Sequence, residues 1–167
     1  MEWGDIWAVI VSINHRSVTG LVKQSLKIGI LPEHIVVVTN VKRKSVILKL
    51  GVLPENILKK GRDIGYAGAL INGMSHIMQY DTGAITINLS SEFKGNMLDK
   101  KEEIERVAPQ AIRRQACMIG SINTEDGIGV WRAEAIHNPV ITQNIKKGAK
   151  FGELTAVVEF ATDDTLN

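Results

Sequence analysis

Residues 6–38 read IWAVIVSINHRSVTGLVKQSLKIGILPEHIVVV, and this stretch decides the fold. Its two ends, 6–13 and 34–38, are runs of branched apolar residues, which predict strands that are covered on both faces. Between them, Thr19 is a candidate N-cap for a helix that runs to about Ile28. A strand, a helix and a second strand in this order predict a right-handed βαβ unit.

The rest of the chain continues this alternation. Further strands are predicted at 57–60, 84–89, 116–122, 128–131 and 155–161, and helices at 65–79 and 98–107. Residues 45–50 fit either a short strand or a helical turn. The pattern predicts an α/β protein with a doubly wound, mostly parallel sheet. No linker of biased composition divides the 167 residues, so we expect one domain that spans 1–167.

Two short segments of the chain are similar to each other. Residues 30–35 read ILPEHI and residues 52–57 read VLPENI, and each is a break followed by a predicted strand. Two copies are too few for a solenoid. We interpret them as similar loops that enter similar strands.

The composition limits the possible functions. An apolar fraction of 44% and a charged fraction of 23% are typical of a soluble globular domain and exclude disorder. A net charge of +2 and 5% aromatic residues give no reason to expect a nucleic-acid partner. The lone Cys117 excludes an intramolecular disulfide, and no apolar run reaches the roughly 20 residues that span a bilayer. With no basic signal-peptide start, the sequence predicts a cytoplasmic protein without a transmembrane segment.

Ligands of open parallel sheets bind beyond the carboxyl ends of the strands, and this rule selects residues 12–16, 39–43, 62–68 and 88–93. These segments and their neighbours supply glycines and five basic residues, namely Lys42, Arg43, Lys59, Lys60 and Arg62. They predict a phosphorylated small molecule as the ligand. Polar loop ends without a ligand are the alternative. The Walker A motif and the nucleophile elbow are absent, and a dinucleotide site is a weaker alternative because only part of its glycine motif is present.

Five stretches carry more specific patterns. They read IVSIN at 10–14, IVVVTN at 35–40, RDIGYAGALING at 62–73, AITINLSSE at 84–92 and VVEFAT at 157–162. In the same order, they resemble the segments V-x-V-S-Y-N, I-x-V-V-D-N, N-x-G-[FY]-A-G-x-x-N-x-G, L-L-L-N-x-D-x-D/E and V-x-F-A-T-G of family 2 glycosyltransferases. The likeness is to the rhamnosyltransferase-like branch in particular.

The resemblance implies a GT-A-like domain that holds a nucleotide-diphosphate sugar at the carboxyl edge of its sheet. The sugar acceptor would be a hydroxyl of a glycan or of a lipid-linked sugar. The nucleotide-binding positions that the resemblance implies are Ser12, Asn14, Thr39, Asn40, Arg62, Asp63, Gly65, Gly68 and Asn72. It also implies Mg²⁺ or Mn²⁺ on the diphosphate, held by Glu92. It assigns no catalytic residue.

The chain departs from the family at acidic positions. Thr39 stands in place of the Asp that binds the base or ribose, Ser90 replaces the first Asp of the D-x-D motif, and Asp63 replaces an Asn. The sequence ends at Asn167, near the expected start of the acceptor-binding half.

Three functional hypotheses therefore stay open. The first is a divergent or shortened glycosyltransferase, and the second is a non-catalytic nucleotide-binding or partner-binding domain of the same fold. The third is an unrelated α/β protein. In each case a homo-oligomer is expected if a sheet edge is left uncovered.

Overall fold

The computed structural model describes residues 2–12, 15–60, 65–91, 93, 95–106 and 128–137. The strands are β1 (Trp7–Ser12), β2 (Ile35–Thr39), β3 (Ile57–Lys59), β4 (Ile85–Ser90) and β5 (Ile128–Arg132). The helices are α1 (His15–Ile28), α2 (Ser45–Lys49), α3 (Gly65–Met78) and α4 (101–106). Short 3₁₀ turns are found at Trp3–Asp5, Pro32–His34, Pro54–Asn56, Met97–Lys100 and Ala133–His137.

The five strands form one mixed sheet in the order β3-β2-β1-β4-β5. The first four are parallel, and β5 pairs antiparallel with β4. The chain moves outward from β1 to β3 and then returns to the other side of β1 through α3. Because right-handed crossovers in opposite directions place their helices on opposite faces, α1 and α3 cover the two faces of the sheet. The prediction of an α/β protein with a mostly parallel sheet is confirmed.

The centre of the sheet is fully buried. Every residue of β1, β2 and β4 is buried, as the continuous apolar runs predict for strands covered on both faces. Helix α3 packs closely on β1 at Gly73, where an added Cβ would lie 2.5 Å from Cγ1 of Val9. A glycine is therefore required at this position of the helix.

The start of α1 differs from the prediction. The helix begins at His15, one turn before the expected cap at Thr19. The reason is Val18, which is completely buried and adds a position to the apolar face that continues with Leu21 and Val22. Leu21 and Val22 follow Val18 by three and four residues, so the three side chains lie on one buried face of the helix. The burial of Val18 therefore stabilises the first turn of α1.

Helix α1 ends as the sequence predicts, at Ile28. Gly29 follows with a φ of 115°, and its N–H donates to the carbonyl oxygen of Leu26 at 3.2 Å. The N–H of Ile30 donates to the carbonyl oxygen of Ser25 at 3.1 Å. This pair of bonds is a Schellman motif, and the positive φ favours glycine at its centre.

The two similar segments have the same backbone path. We call residues 27–35 (KIGILPEHI) the first connector and residues 49–57 (KLGVLPENI) the second connector. In each, a helix ends at a glycine of positive φ, with 115° at Gly29 and 100° at Gly51, and a 3₁₀ turn then leads into a strand. Because β2 and β3 pair in parallel, the two turns enter neighbouring strands. The interpretation as similar loops that enter similar strands is confirmed, and the likeness extends over nine residues.

The remaining elements agree closely with the sequence. The five strands described here begin and end within one residue of the predicted bounds, residues 45–50 contain the helix α2, and the predicted helix at 98–107 is divided into a 3₁₀ turn and α4. The predicted strands at 116–122 and 155–161 lie outside the described residues, as does the motif at 157–162. None of the helices in the described ranges is both long enough and apolar enough to span a bilayer.

Candidate functional site

Three hydroxyl side chains lie at the carboxyl edge of the sheet. Ser12, Thr39 and Ser90 are the last residues of β1, β2 and β4, and all three are buried. Ser12 is the register partner of Thr39, and Val11 is the partner of Ser90, so the three lie side by side. The strand order reverses between β1 and β4, and this is where open α/β sheets place their ligand crevice.

A cavity of about 800 Å³ opens at the same edge, beyond the ends of β2 and β3. Its volume lies in the range of small-molecule sites, roughly 300–1,000 Å³. It is lined by Thr39, Asn40, Val41, Lys42, Lys44, Lys59 and Lys60. We call this the lysine cavity.

Thr39 shapes the loop that forms one wall of the lysine cavity. Its hydroxyl oxygen accepts a hydrogen bond from the N–H of Val41 at 3.1 Å, and its carbonyl oxygen accepts one from the N–H of Lys60 at 3.1 Å. The first bond stabilises a turn of the chain directly after β2. The second bond connects the segment after β3 to the end of β2. Val41 is buried and anchors the turn. Thr39 thus has a structural role at this turn, through both its side chain and its backbone.

The cavity wall is strongly basic. Four lysines line it, and no carboxylate does among the residues described there. Lys42, Lys44 and Lys59 are exposed, whereas Lys60 is half-buried. Like charges at one cavity raise the local concentration of anions, and an ammonium group binds phosphate as a point charge. The arrangement can therefore hold a ligand with one or more phosphate groups.

The sequence predicted three of the four lysines that line this cavity. Among the basic residues that it selected, Lys42, Lys59 and Lys60 line the cavity, and Arg43 is exposed outside the lining. Lys44 was missed. Its signal was the unbroken basic run at 42–44, which places a third cation one residue beyond the selected segment.

The predicted nucleotide-binding residues fall into three groups. Thr39 and Asn40 line the cavity, and Ser12 lies next to Thr39 at the sheet edge. Gly65, Gly68 and Asn72 belong to α3. Gly68 is buried and Asn72 is exposed, and neither of these two is in the described lining of the cavity. The remaining positions lie outside the described residues, and they are Asn14, Arg62, Asp63 and the predicted metal ligand Glu92.

Behind Ser90, β4 carries two more buried polar side chains on the same face. Thr86 donates its hydroxyl hydrogen to the carbonyl oxygen of Trp131 at 3.0 Å, and the Nδ2 group of Asn88 donates to the hydroxyl of Thr86 at 3.2 Å. Oδ1 of Asn88 is buried without a hydrogen-bond partner within the described part of the chain. These bonds hold the polar row of β4 in place below the sheet edge.

Comparisons with protein-family models, curated proteins and solved structures find no match for this chain. The site is therefore interpreted from its own residues. The described ranges contain no group of three His, Cys, Asp or Glu side chains that could hold a metal ion. Mg²⁺ or Mn²⁺ at Glu92 stays a prediction, because that residue is outside these ranges.

Proposed function

We propose that this chain binds a nucleotide-diphosphate sugar in the lysine cavity, as a GT-A-like domain related to family 2 glycosyltransferases. The observation that carries the proposal is the cavity of about 800 Å³ with four lysines at the carboxyl ends of β2 and β3. A diphosphate needs cationic partners, and open α/β sheets bind nucleotides beyond the carboxyl ends of their strands. The resemblance of residues 35–40 and 62–73 to the family's motifs supports the same ligand.

Two versions of this function differ in chemistry. A divergent glycosyltransferase would transfer the sugar to a hydroxyl of a glycan or of a lipid-linked sugar, with Glu92 holding Mg²⁺ or Mn²⁺. A non-catalytic nucleotide-binding domain would need only the lysines, which would bind the phosphate groups of the nucleotide. The second version is favoured by the described edge of the sheet, where Ser12, Thr39 and Ser90 offer hydroxyls rather than carboxylates.

Thermal unfolding with added ligands tests the proposal. UDP-, dTDP- and GDP-sugars are added to the full chain with and without Mn²⁺. A ligand at about 100 times its Kd stabilises the native state by about 2.7 kcal/mol, which is a rise in Tm of roughly 5–10 °C for a chain of this size. The parent nucleosides, which lack phosphate, are expected to give no shift.

Charge variants locate the ligand. Replacing Lys42 and Lys59 with Gln removes two cations of the lysine cavity and should abolish most of the shift. Replacing Lys23 and Lys27, which are exposed on α1, changes the net charge equally and should leave the shift intact. The proposal is wrong if no nucleotide raises Tm, or if both pairs of substitutions reduce the shift to the same extent.

A transfer assay separates the enzyme from the binding domain. Release of nucleotide diphosphate with an acceptor, dependent on Mn²⁺ and lost in Glu92→Ala, would support the glycosyltransferase. Binding without release under any metal or acceptor condition would support the non-catalytic domain.

A further inference from the structure

A second cavity, of about 200 Å³, lies at the opposite, amino-terminal edge of the sheet. Its lining comes from the start of β1, the segments before β2 and β3, and the turn after α3. The residues are Trp7, Glu33, His34, Leu53, Glu55, Asn56 and Tyr80. We call it the aromatic cavity. None of its residues belongs to the lysine cavity, so it raises a separate question of function.

The two connectors build most of this cavity. Each contributes a glutamate from the middle of its 3₁₀ turn, Glu33 from the first and Glu55 from the second. Asn56 fixes the turns to each other, because its Nδ2 group donates to the carbonyl oxygen of Glu33 at 3.0 Å. Its Oδ1 atom lies 2.9 Å from Nε2 of His76. The amide of Asn56 is thus fully engaged, and the two glutamates share one opening.

Three rings give the cavity its apolar wall. The rings of Trp7 and His34 are stacked, with centroids 4.3 Å apart and an interplanar angle of 17°. The rings of Trp7 and Tyr80 are nearly parallel as well, at 6.3 Å and 19°. Trp7 is 6% exposed and Tyr80 is 60% exposed, so the tyrosine presents its ring to a molecule that arrives from solvent.

The charges around the cavity are of one sign. Glu33 and Glu55 are exposed, and no lysine or arginine is part of the lining that the structure describes. His76 lies behind Asn56, and burial lowers its pKa while Glu55 partly opposes this effect. His76 is therefore mostly neutral at pH 7 and leaves the negative charge of the two carboxylates uncompensated. Carboxylates and aromatic rings together attract an organic cation.

The opening also decides which hydrogen bonds a ligand can donate. Nδ1 of His34 has almost no solvent-accessible surface and no hydrogen-bond partner in the described residues, so a ligand in the opening does not reach it. The acceptors that such a ligand meets are the exposed carboxylates of Glu33 and Glu55. Carboxylates accept charge-assisted hydrogen bonds from N–H donors. Among organic cations, the two carboxylates favour one that carries N–H hydrogens.

We propose that the aromatic cavity is a binding site for a small alkylammonium ion. The ammonium group donates hydrogen bonds to the carboxylates of Glu33 and Glu55, and the alkyl chain covers the ring of Tyr80. The two turns of the connectors bring these two glutamates to one opening. The site does not depend on the proposed nucleotide function.

Calorimetric titration of the full chain with butylammonium tests the site. 1-Butanol is the neutral control, and tetramethylammonium is the cation without an N–H group. We expect butylammonium to bind with the lowest Kd of the three. Equal affinity for butylammonium and 1-butanol would overturn the proposal, and so would equal affinity for the two cations.

Three variants locate the ligand. Tyr80→Leu and Glu55→Gln change exposed side chains, and each should raise the Kd for butylammonium about two- to fivefold. Glu102→Gln removes the same charge from the exposed surface of α4 and should leave the Kd unchanged. Circular dichroism confirms that each variant is folded. An unchanged Kd in both cavity variants would contradict the assignment.

Discussion

Gly73 is a residue whose role differs from what its motif suggests. It closes the stretch 62–73 that resembles a nucleotide-binding segment, yet its backbone packs against the side chain of Val9 in the middle of the sheet. Val9 is completely buried. Gly73 is therefore required for the packing of α3 on β1, whatever the ligand is.

We expect Gly73→Ala to destabilise the protein by about 1–3 kcal/mol, because the new methyl group forces Val9 or α3 to shift. Urea unfolding followed by circular dichroism measures this change. Gly20→Ala is the matched control, since it lies in α1 with no atom within 4 Å of the added Cβ. The free energy of unfolding of this control should rise by up to about 1 kcal/mol, because Ala has a higher helix propensity than Gly. Equal effects of the two substitutions would contradict the packing role.

His76 makes stability depend on pH. Burial is the larger effect on its pKa and lowers it from the usual 6.5, so the unfolded chain binds a proton at a higher pH than the folded chain. The contribution of His76 to stability is therefore complete above pH 6.5 and is lost as the pH falls through the lowered value. Urea unfolding at pH 8 and pH 5.5 should show a smaller loss for His76→Gln than for the original chain. The same loss in both would refute this assignment.

At the scale of elements, the two connectors show how one local sequence builds the same structure twice. Each needs a glycine where the chain leaves a helix, because φ is 115° at Gly29 and 100° at Gly51. A Cβ at Gly29 would also lie 3.1 Å from Cβ of Trp3, and one at Gly51 would lie 3.3 Å from Cβ of Pro32. Both conformation and space thus favour glycine at these positions.

Gly29→Ala and Gly51→Ala should each destabilise the protein by about 1 kcal/mol, because an L-residue rarely adopts a positive φ. Thermal unfolding measures both losses. Gly83→Ala is the control, since its added Cβ would approach only Oδ1 of Asp81, at 3.8 Å. If Gly83→Ala cost as much as the other two, the helix ends would not explain the effect.

The elements could be predicted to different degrees. The strands were predictable because branched apolar runs such as 34–38 are long enough to identify buried strands. The antiparallel pairing of β5 with β4 was not, since a strand sequence does not state the direction of its partner. The start of α1 was missed because Thr19 is a good cap in isolation, and only tertiary burial shows that Val18 belongs to the helix.

The two cavities also differ in how far they could be predicted from the sequence. The lysine cavity was largely predictable, because its residues follow two neighbouring strands and the rule for parallel sheets brings them together. The aromatic cavity was not, because Trp7, His34 and Tyr80 are far apart in the sequence and meet only after the sheet has formed. The similarity of the connectors was the one sequence signal that pointed to it.

At the scale of the whole molecule, the cavities lie at opposite ends of the same strands. β1 starts with Trp7 at the aromatic cavity and ends with Ser12, the register partner of Thr39, which lines the lysine cavity. Six residues of extended chain span about 20 Å. The strands β1 and β2 between the cavities are buried, and the described linings of the two cavities share no residue.

We expect the two ligands to bind independently. Butylammonium at saturation should change the Kd of a nucleotide-sugar by less than about twofold, because sites without shared residues or a common conformational change have little coupling free energy. Calorimetric titrations with and without the second ligand measure this factor, and the reverse experiment must give the same value. A change of tenfold or more would show that the sheet transmits a conformational change between its edges.

The outer strand β3 has a consequence for assembly. It is three residues long, ends in the exposed Lys59, and is the outermost strand on its side of the sheet among the residues that the structure describes. Short edge strands with a lysine are poor templates for pairing with another chain, since few backbone groups are offered and the charge resists burial. Within the described part of the chain, β3 is therefore a poor site for a second copy of this protein to add a strand.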